Sequence, residues 1–234
     1  MKLSKRLEVV AKMISPGGVI ADIGTDHGYV PIYLIENNIC EKVFAADINK
    51  GPLERAEEHI REHGLKDRIT TVLSNGMEKL GGNNINKVII AGMGGELICK
   101  IMDESPIMDE IEEIVLSPHS DIYKVRKNII SNNFSIVDEK MVKDSEKYYI
   151  VIRAVKTMDN DDNDYNEFEL MYGRKLFDNK DKVFLEYLER KVDKYNNIMD
   201  GLGDSESAKT KRAELLKKSE DCRKAVGKLK GTKI

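Results

Sequence analysis

Short apolar runs recur along the first half of the chain at Val19–Ile23, Val43–Asp47, Ile69–Leu73, Lys87–Ala91 and Ile111–Leu116. Between them, apolar positions return every three or four residues. Near-continuous apolar strands alternating with amphipathic helices predict an α/β doubly wound parallel sheet covered on both faces. The helices carry their own start signals: Ser4 ahead of Leu7, Val10 and Met13, Pro31 in a first turn, and Pro52 before a Glu-rich segment ending at His63-Gly64. After a helix expected from Ile122 to Asn132, the runs Phe134–Val142 and Tyr148–Val155 have only a short connection, so they should pair antiparallel at the sheet edge.

From Thr157 to Asn166 the chain is dominated by aspartate and asparagine, cannot form a core, and reads as a linker. It separates a domain of residues 1–157 from one of residues 167–234. In the second, Leu185, Leu188, Val192, Tyr195, Met199 and Leu202 step by three and four, the seam of a coiled coil, until Gly201-Leu-Gly-Asp204 breaks the helix. A further helix from about Ser207, with Leu215, Cys222, Val226 and Leu229, is expected to fold back as an antiparallel hairpin. A pair of helices that merely packs on the main domain is the alternative.

Composition narrows the class. Of 234 residues, 41% are hydrophobic and 34% charged, with no run of membrane-span length and no signal-peptide pattern at the start, so the expected address is the cytoplasm with no membrane partner. Cys40, Cys99 and Cys222 lie far apart without a C-x-x-C pairing, and His59 and His63 lack an acid-rich partner motif, so no metal site is expected. The net charge of −3 is unevenly spread: from Ser207 to Ile234 ten bases face three acids, a local +7 that leaves −10 for the rest. Such a segment suits a polyanion, although a lysine-rich helix is also an ordinary solvated face.

The first strand runs into Gly24-Thr-Asp-His-Gly28, a glycine-punctuated turn opening a helix at Tyr29. Glycines permit the turn, and the helix start offers unpaired N–H groups to a polar ligand. The second strand ends in Asp47, placed for ribose hydroxyls. The spacing is G-x-x-x-G rather than G-x-G-x-x-G, with Asp26 in its middle; an acid there repels a pyrophosphate and suits the sulfonium and ammonium of S-adenosylmethionine. A nicotinamide-dependent oxidoreductase is disfavoured for the same reason. The strand ends should together form the cofactor site from Asp22, Gly24, Asp26, His27 and Gly28, then Asp47, Ile48 and Asn49, then Asn75, Gly76 and Met77, and finally Gly92 and Met93. Asn75 is expected to meet the adenine amine beside Met77 as an apolar wall. Gly92-Met-Gly-Gly95 leaves the backbone bare where the methyl must come close; a tight strand-to-helix turn is the plainer reading of the same glycines.

Taken together, these residues resemble the bacterial tRNA (adenine-22-N1)-methyltransferases over nearly the whole chain. The likeness is carried by Leu3-Ser-Lys-Arg-Leu7, Ala21 through Pro31, Ala46-Asp47, Ala91-Gly-Met-Gly-Gly95, Leu116-Ser-Pro118, Val125-Arg126 and Tyr148-Tyr149. It implies a Rossmann-like class I methyltransferase fold with a C-terminal helical extension, S-adenosylmethionine as methyl donor, and tRNA as substrate, methylated on N1 of an adenine in the D-arm region. Family members carry Gln-Pro-Asn after strand five where this chain has Ser117-Pro-His119. Adenine N1 has an in-plane lone pair and needs no strong base, so orientation carries the burden, and Asp26 with Gly94 would stabilise the cationic product. Since N1 lies on the Watson–Crick edge, the base must be turned out. Arg6 and Arg126 would then grip phosphates, Tyr29 would line or stack in the pocket, and Gly95, Pro118 and His119 would complete its far wall. Of Tyr148 and Tyr149, one is expected in the core. The expected state is a monomer. A methyltransferase acting on a protein or small molecule, or a non-catalytic binding protein, would share the cofactor loops.

Overall fold

A computed structural model describes residues 2–157 and 164–231 of the chain. The linker expected between Thr157 and Asn166 falls mostly on residues 158–163, outside the described residues. By compactness the chain divides into Met1–Met171 and Tyr172–Ile234.

The first unit opens with α1 (Lys5–Met13), whose first turn is capped by the Ser4 hydroxyl accepting from the Leu7 N–H. Five parallel strands follow with their helices: β1 (Val19–Ile23), α2 (Tyr29–Glu36), β2 (Lys42–Asp47), α3 (Lys50–Glu62), β3 (Ile69–Leu73), β4 (Lys87–Ala91), α4 (Gly95–Asp103), β5 (Glu113–Ser117) and α5 (Ile122–Ser131). A long hairpin of β6 (Phe134–Asp144) and β7 (Lys147–Lys156) closes the sheet. The strand order is β3-β2-β1-β4-β5-β7-β6, with β7 antiparallel to both neighbours. Order therefore reverses between β1 and β4, where a crevice opens beyond the carboxyl ends. Registers Ile23↔Ala46, Asp47↔Leu73 and Ala91↔Ser117 bring those ends level.

Apolar alternation accounts for the layers. Ile20, Val43, Ile89, Val115 and Val151 sit in one core cluster with Val10, Ile32, Leu34 and Ile60 from the helices. The fifth strand departs from expectation, starting at Glu113 and not at Ile111. Its first residue is a buried acid whose carboxylate takes the Ser15 N–H and hydroxyl, the Arg153 Nε at 2.6 Å and the Lys87 ammonium at 3.5 Å. Lys87 in turn donates to the carbonyls of Ser15 and Pro16. This buried polar knot fixes the chain after α1 beneath the amino ends of β4 and β5.

The first unit ends within α6 (Glu167–Tyr172). The Tyr123 hydroxyl donates to Glu167 at 2.9 Å, and Arg126 donates to the Leu170 carbonyl at 2.9 Å.

In the second unit α7 (Arg174–Asp178) leads to α8 (Lys182–Asp200) and α9 (Glu206–Lys230), capped at their starts by Asp181 and Ser205. The last two run antiparallel: Lys230 pairs with Glu189, Ser219 with Asn196, and Arg212 donates to the Leu202 carbonyl. Leu188 is buried in α8, and Leu215, Ser219, Cys222 and Ala225 in α9. Ser219 and Ala225 are small residues, absent from the expected apolar seam, that let the two backbones approach. Among the described residues, no helix is long and apolar enough to cross a membrane.

Candidate active site

The crevice is built from loops that the parallel registers carry to one place. The turn after β1 is held by the Gly24 and Thr25 N–H groups, both donating to the Ala46 carbonyl, so β2 fixes the first loop. Gly24 has φ +76°, and a Cβ there would collide with the terminal methyl of Met93. That contact brings the β1 and β4 loops face to face. Gly28 (φ +72°) starts α2 against Ala56 of α3, with its added Cβ 3.2 Å from that side chain. The Asn49 N–H donates to Asp47 Oδ1 at 2.9 Å, orienting the carboxylate at the end of β2, and Ile48 beside it is 61% exposed. On the far side, the Gly92 N–H donates to the Ser117 carbonyl and the His119 N–H to the Met93 carbonyl, tying the β4 and β5 loops together.

The acids divide into two kinds. Asp22 is buried, and its carboxyl is pushed up to about 7, chiefly by burial, with the Thr25 hydroxyl opposing and the Asp47 charge adding. Asp26 is exposed. It sits at φ +51° and turns its carboxylate outward to Arg55 Nη2 at 3.3 Å and His27 Nε2 at 3.7 Å. The expectation that Asp26 aims into the loop is thus corrected: the acid inside the crevice is Asp22, because the left-handed backbone swings Asp26 toward α3.

His27, Tyr29 and His59 stack, with neighbouring ring centroids 5.1 and 5.3 Å apart. The His59 Nδ1 lies 2.9 Å from the His27 carbonyl. Asn75 donates to Glu78 at 2.6 Å, while Met77 is buried with its sulfur accepting from Ser105, so Met77 supports the β3 loop from below. Gly94 caps α4 in an extended conformation.

Three expected substrate contacts lie elsewhere. Arg126 is 2% exposed, pairs with buried Glu139 at 2.7 Å and donates to the carbonyls of Leu170 and Met171, so its guanidinium has no way to a phosphate. Gly95 is buried against the Ser120 carbonyl, where a Cβ would collide, and its role is close packing. Pro118 is buried too. His119 and Arg6 do face the crevice, with Arg6 Nη1 3.5 Å from His119 Nε2. Burial, Arg6 and Lys147 together lower the His119 pKa. Tyr148 and Tyr149 both remain half-buried, because β7 at that height has passed the end of β5.

Residues with no local signal in the sequence complete the site. Arg55 and His59 arrive on α3, and only the fold brings them to the first loop. His27 Nδ1 and Ser117 Oγ are buried polar atoms without hydrogen-bond partners, on the loop after β1 and at the end of β5. Such atoms cost stability unless a ligand meets them. With buried Asp22, oriented Asp47 and exposed Ile48, they offer acceptors and donors for an amino acid and a ribose and an apolar face for a base. This donor set fits S-adenosylmethionine. Among the described residues, no cluster of metal-ligating side chains occurs.

Residues 3–152 match the family model described as a methyltransferase domain. The chain is 30% identical to the tRNA (adenine(22)-N(1))-methyltransferase of Bacillus subtilis (strain 168), over 94% of this chain and 95% of that protein. Among solved structures it resembles M. capricolum TrmK in complex with S-adenosyl-homocysteine, at 31% identity and TM-score 0.83, covering 98% of this chain and 100% of that one. It also resembles Streptococcus pneumoniae Sp1610 in complex with S-adenosyl-L-methionine, at 26% identity and TM-score 0.81, covering 96% and 100%.

Proposed function

Because the chain belongs to the tRNA (adenine(22)-N(1))-methyltransferases, we propose that it transfers a methyl group from S-adenosylmethionine to N1 of an adenine, position 22, in tRNA. The observation that carries this reading is the placement of buried Asp22 at the end of β1, with the unpaired His27 Nδ1 and Ser117 Oγ on the neighbouring loop and strand end, beside the crevice where strand order reverses between β1 and β4. The bound donor supplies a sulfonium methyl, an electrophile strong enough for attack by a neutral ring nitrogen. Everything else is positioning. Asp22 would accept from the cationic amino group, which would favour its ionised form; Asp47 would hold the ribose hydroxyls; Ile48 and the Asn75 loop would border the adenine. The bare backbone at Gly92, Met93 and Gly94 would leave room for the donor methyl and the acceptor base to approach.

Adenine N1 attacks with its own lone pair, so the chain needs no general base for the transfer itself. The product is a cation, which the carbonyls of the crevice loops would stabilise. Arg6, His119 and the Tyr29 ring belong to the acceptor side, and the lysine-rich face of α9 to the tRNA backbone. No metal takes part in this scheme. A monomer would suffice, and the cytoplasm is where its substrate is found.

The test is incubation with labelled S-adenosylmethionine and unmodified bulk tRNA, followed by nucleoside analysis. Label in 1-methyladenosine supports the reading. Cofactor binding without RNA labelling, or label in another nucleoside, overturns it.

A further inference from the structure

Beyond the crevice, three elements converge that the cofactor scheme does not use. Because β7 runs antiparallel to β5 and Leu116 pairs with Ile152, residues 147–150 project past the carboxyl end of β5. Tyr149 lies on that projecting part, opposite Val142 of β6. The hairpin is tied to the start of α1, where the Arg6 N–H donates to Asp144 Oδ2 at 3.1 Å. The third element is the β5 loop bearing His119.

Their side chains form a compact set. The Arg6 guanidinium sits over the Tyr149 ring, 5.1 Å from its centroid, and the His119 ring meets Tyr149 at 5.6 Å with a 52° tilt. A Cβ on Gly92 would lie 3.4 Å from Arg6 Nη1 and 4.0 Å from His119 Cε1, so this set borders the bare backbone of the β4 loop. Arginine has no acceptor and cannot be deprotonated in proteins, so the 3.5 Å approach of its Nη1 to His119 Nε2 requires an unprotonated Nε2. That leaves the ring proton on Nδ1. The charged and titratable groups around His119 are Arg6 on α1, Tyr149 and Lys147 on β7, and Asp144 on β6 behind Arg6.

A half-buried tyrosine face covered by a guanidinium is suited to a flipped nucleotide, since any base stacks on an aromatic ring and a phosphate draws a guanidinium more strongly than a π face does. We propose that Tyr149, Arg6 and His119 form a clamp for the acceptor nucleotide, in which Tyr149 is the stacking face for the base, Arg6 meets its phosphate, and neutral His119 positions Arg6. The proposal rests on the methyltransferase reading above and assigns the substrate-recognition part of that site. It gives Tyr149 a role in binding that its place in a strand does not announce.

Steady-state methylation of tRNA with Tyr149→Leu, Tyr149→Phe, Arg6→Lys and His119→Asn, alongside calorimetric binding of S-adenosylmethionine, tests it. Tyr149→Leu is expected to raise KM for tRNA about tenfold, in line with loss of a base stack, with cofactor affinity unchanged. Tyr149→Phe retains the wild-type KM, and Arg6→Lys, lacking the planar fork, behaves like Tyr149→Leu. His119→Asn keeps an acceptor for Arg6 and a donor, so at saturating S-adenosylmethionine it retains activity at pH 8, and its kcat/KM for tRNA should fall less at acid pH than that of the wild type. A Tyr149→Leu protein with wild-type KM overturns the clamp alone. Loss of cofactor binding in both Tyr149 variants overturns it in favour of packing. A wild-type protein that binds the cofactor but methylates no tRNA overturns the underlying reading, and the clamp with it.

Discussion

At the scale of the residue, Asp22 is where stability and function pull apart. Its carboxyl titrates near 7 in the free protein because burial penalises the charge. The native state therefore holds a proton that the unfolded chain, titrating near the usual carboxylate value, has already lost. Stability contributed by this group falls as pH rises between those two values. Asp22→Asn removes the penalty, and its Tm at pH 8 should exceed that of the wild type. The same substitution should weaken S-adenosylmethionine binding by about ten- to a hundredfold, on a charge-assisted contact of roughly 1.5–3 kcal/mol. In the wild type, affinity rises with pH through 7 as the ionised form becomes available; in the variant it stays flat. Calorimetric titrations from pH 6 to 8 decide the matter, and parallel profiles for the two proteins would contradict it. Asp26 offers a contrast. Asparagine tolerates its left-handed backbone, so Asp26→Asn isolates the charge: with that carboxylate turned to Arg55, turnover should stay near the wild-type value, and a several-fold fall with the cofactor bound normally would return Asp26 to the mechanism.

At the scale of the element, two buried ionic knots join what the strands alone do not. Glu113 links β5 to β4, β7 and the segment after α1. Burial raises its pKa, but hydrogen bonds from Ser15 and Arg153 outweigh that and hold it below its ordinary value. Its contribution is present at neutral pH and is lost as pH falls through the lowered folded value. Arg126 and Glu139 bind α5 to β6 and to the last turn of α6. Arg126→Ala removes the cation paired with the buried Glu139 carboxylate and its bonds to α6, at a cost of about 3 kcal/mol. Chemical denaturation should show that loss, whereas a phosphate-binding arginine would give normal stability and a raised KM.

These knots also mark the limit of what the chain reveals on inspection. The parallel strands, the glycine loop, Asp47 and the closing hairpin were legible, because apolar periodicity and turn chemistry are local. The start of β5 was not, since a strand beginning with glutamate looks polar until Lys87, Arg153 and Ser15 gather round it. Arg126 looked like a ligand for phosphate because sequence order cannot distinguish a buried arginine from an exposed one. Arg55, His59 and Tyr149 reach the site through long-range packing, and the backbone sign at Asp26 reversed the direction in which its charge points.

At the scale of the whole molecule, the uneven charge bears on tRNA. Many cations of α9 face acids on the same helix: Lys211 and Lys218 flank Glu214, whose carboxyl they hold down to about 2, and Lys224 pairs with Asp221. Exposed pairs of this kind are weak and screened, so a polyanion can compete for the lysines. Replacing Lys209, Lys217 and Lys224 by glutamine should weaken tRNA binding at low salt and make the dependence of log affinity on log salt shallower, by up to about 0.9 for each phosphate no longer neutralised. Binding curves at several salt concentrations measure this. An unchanged slope would assign the basic helix to solvation alone.

The central claim is methyl transfer to one atom of one nucleotide, and a primer-extension assay reads it directly, because a methyl on adenine N1 blocks Watson–Crick pairing and stops the polymerase. We would treat unmodified tRNA transcripts carrying adenine or guanine at position 22 with the protein and S-adenosylmethionine. The account predicts a cofactor-dependent stop at position 22 in the adenine transcript and none in the guanine one. A stop at another position, or methylation that survives the guanine substitution, would contradict it.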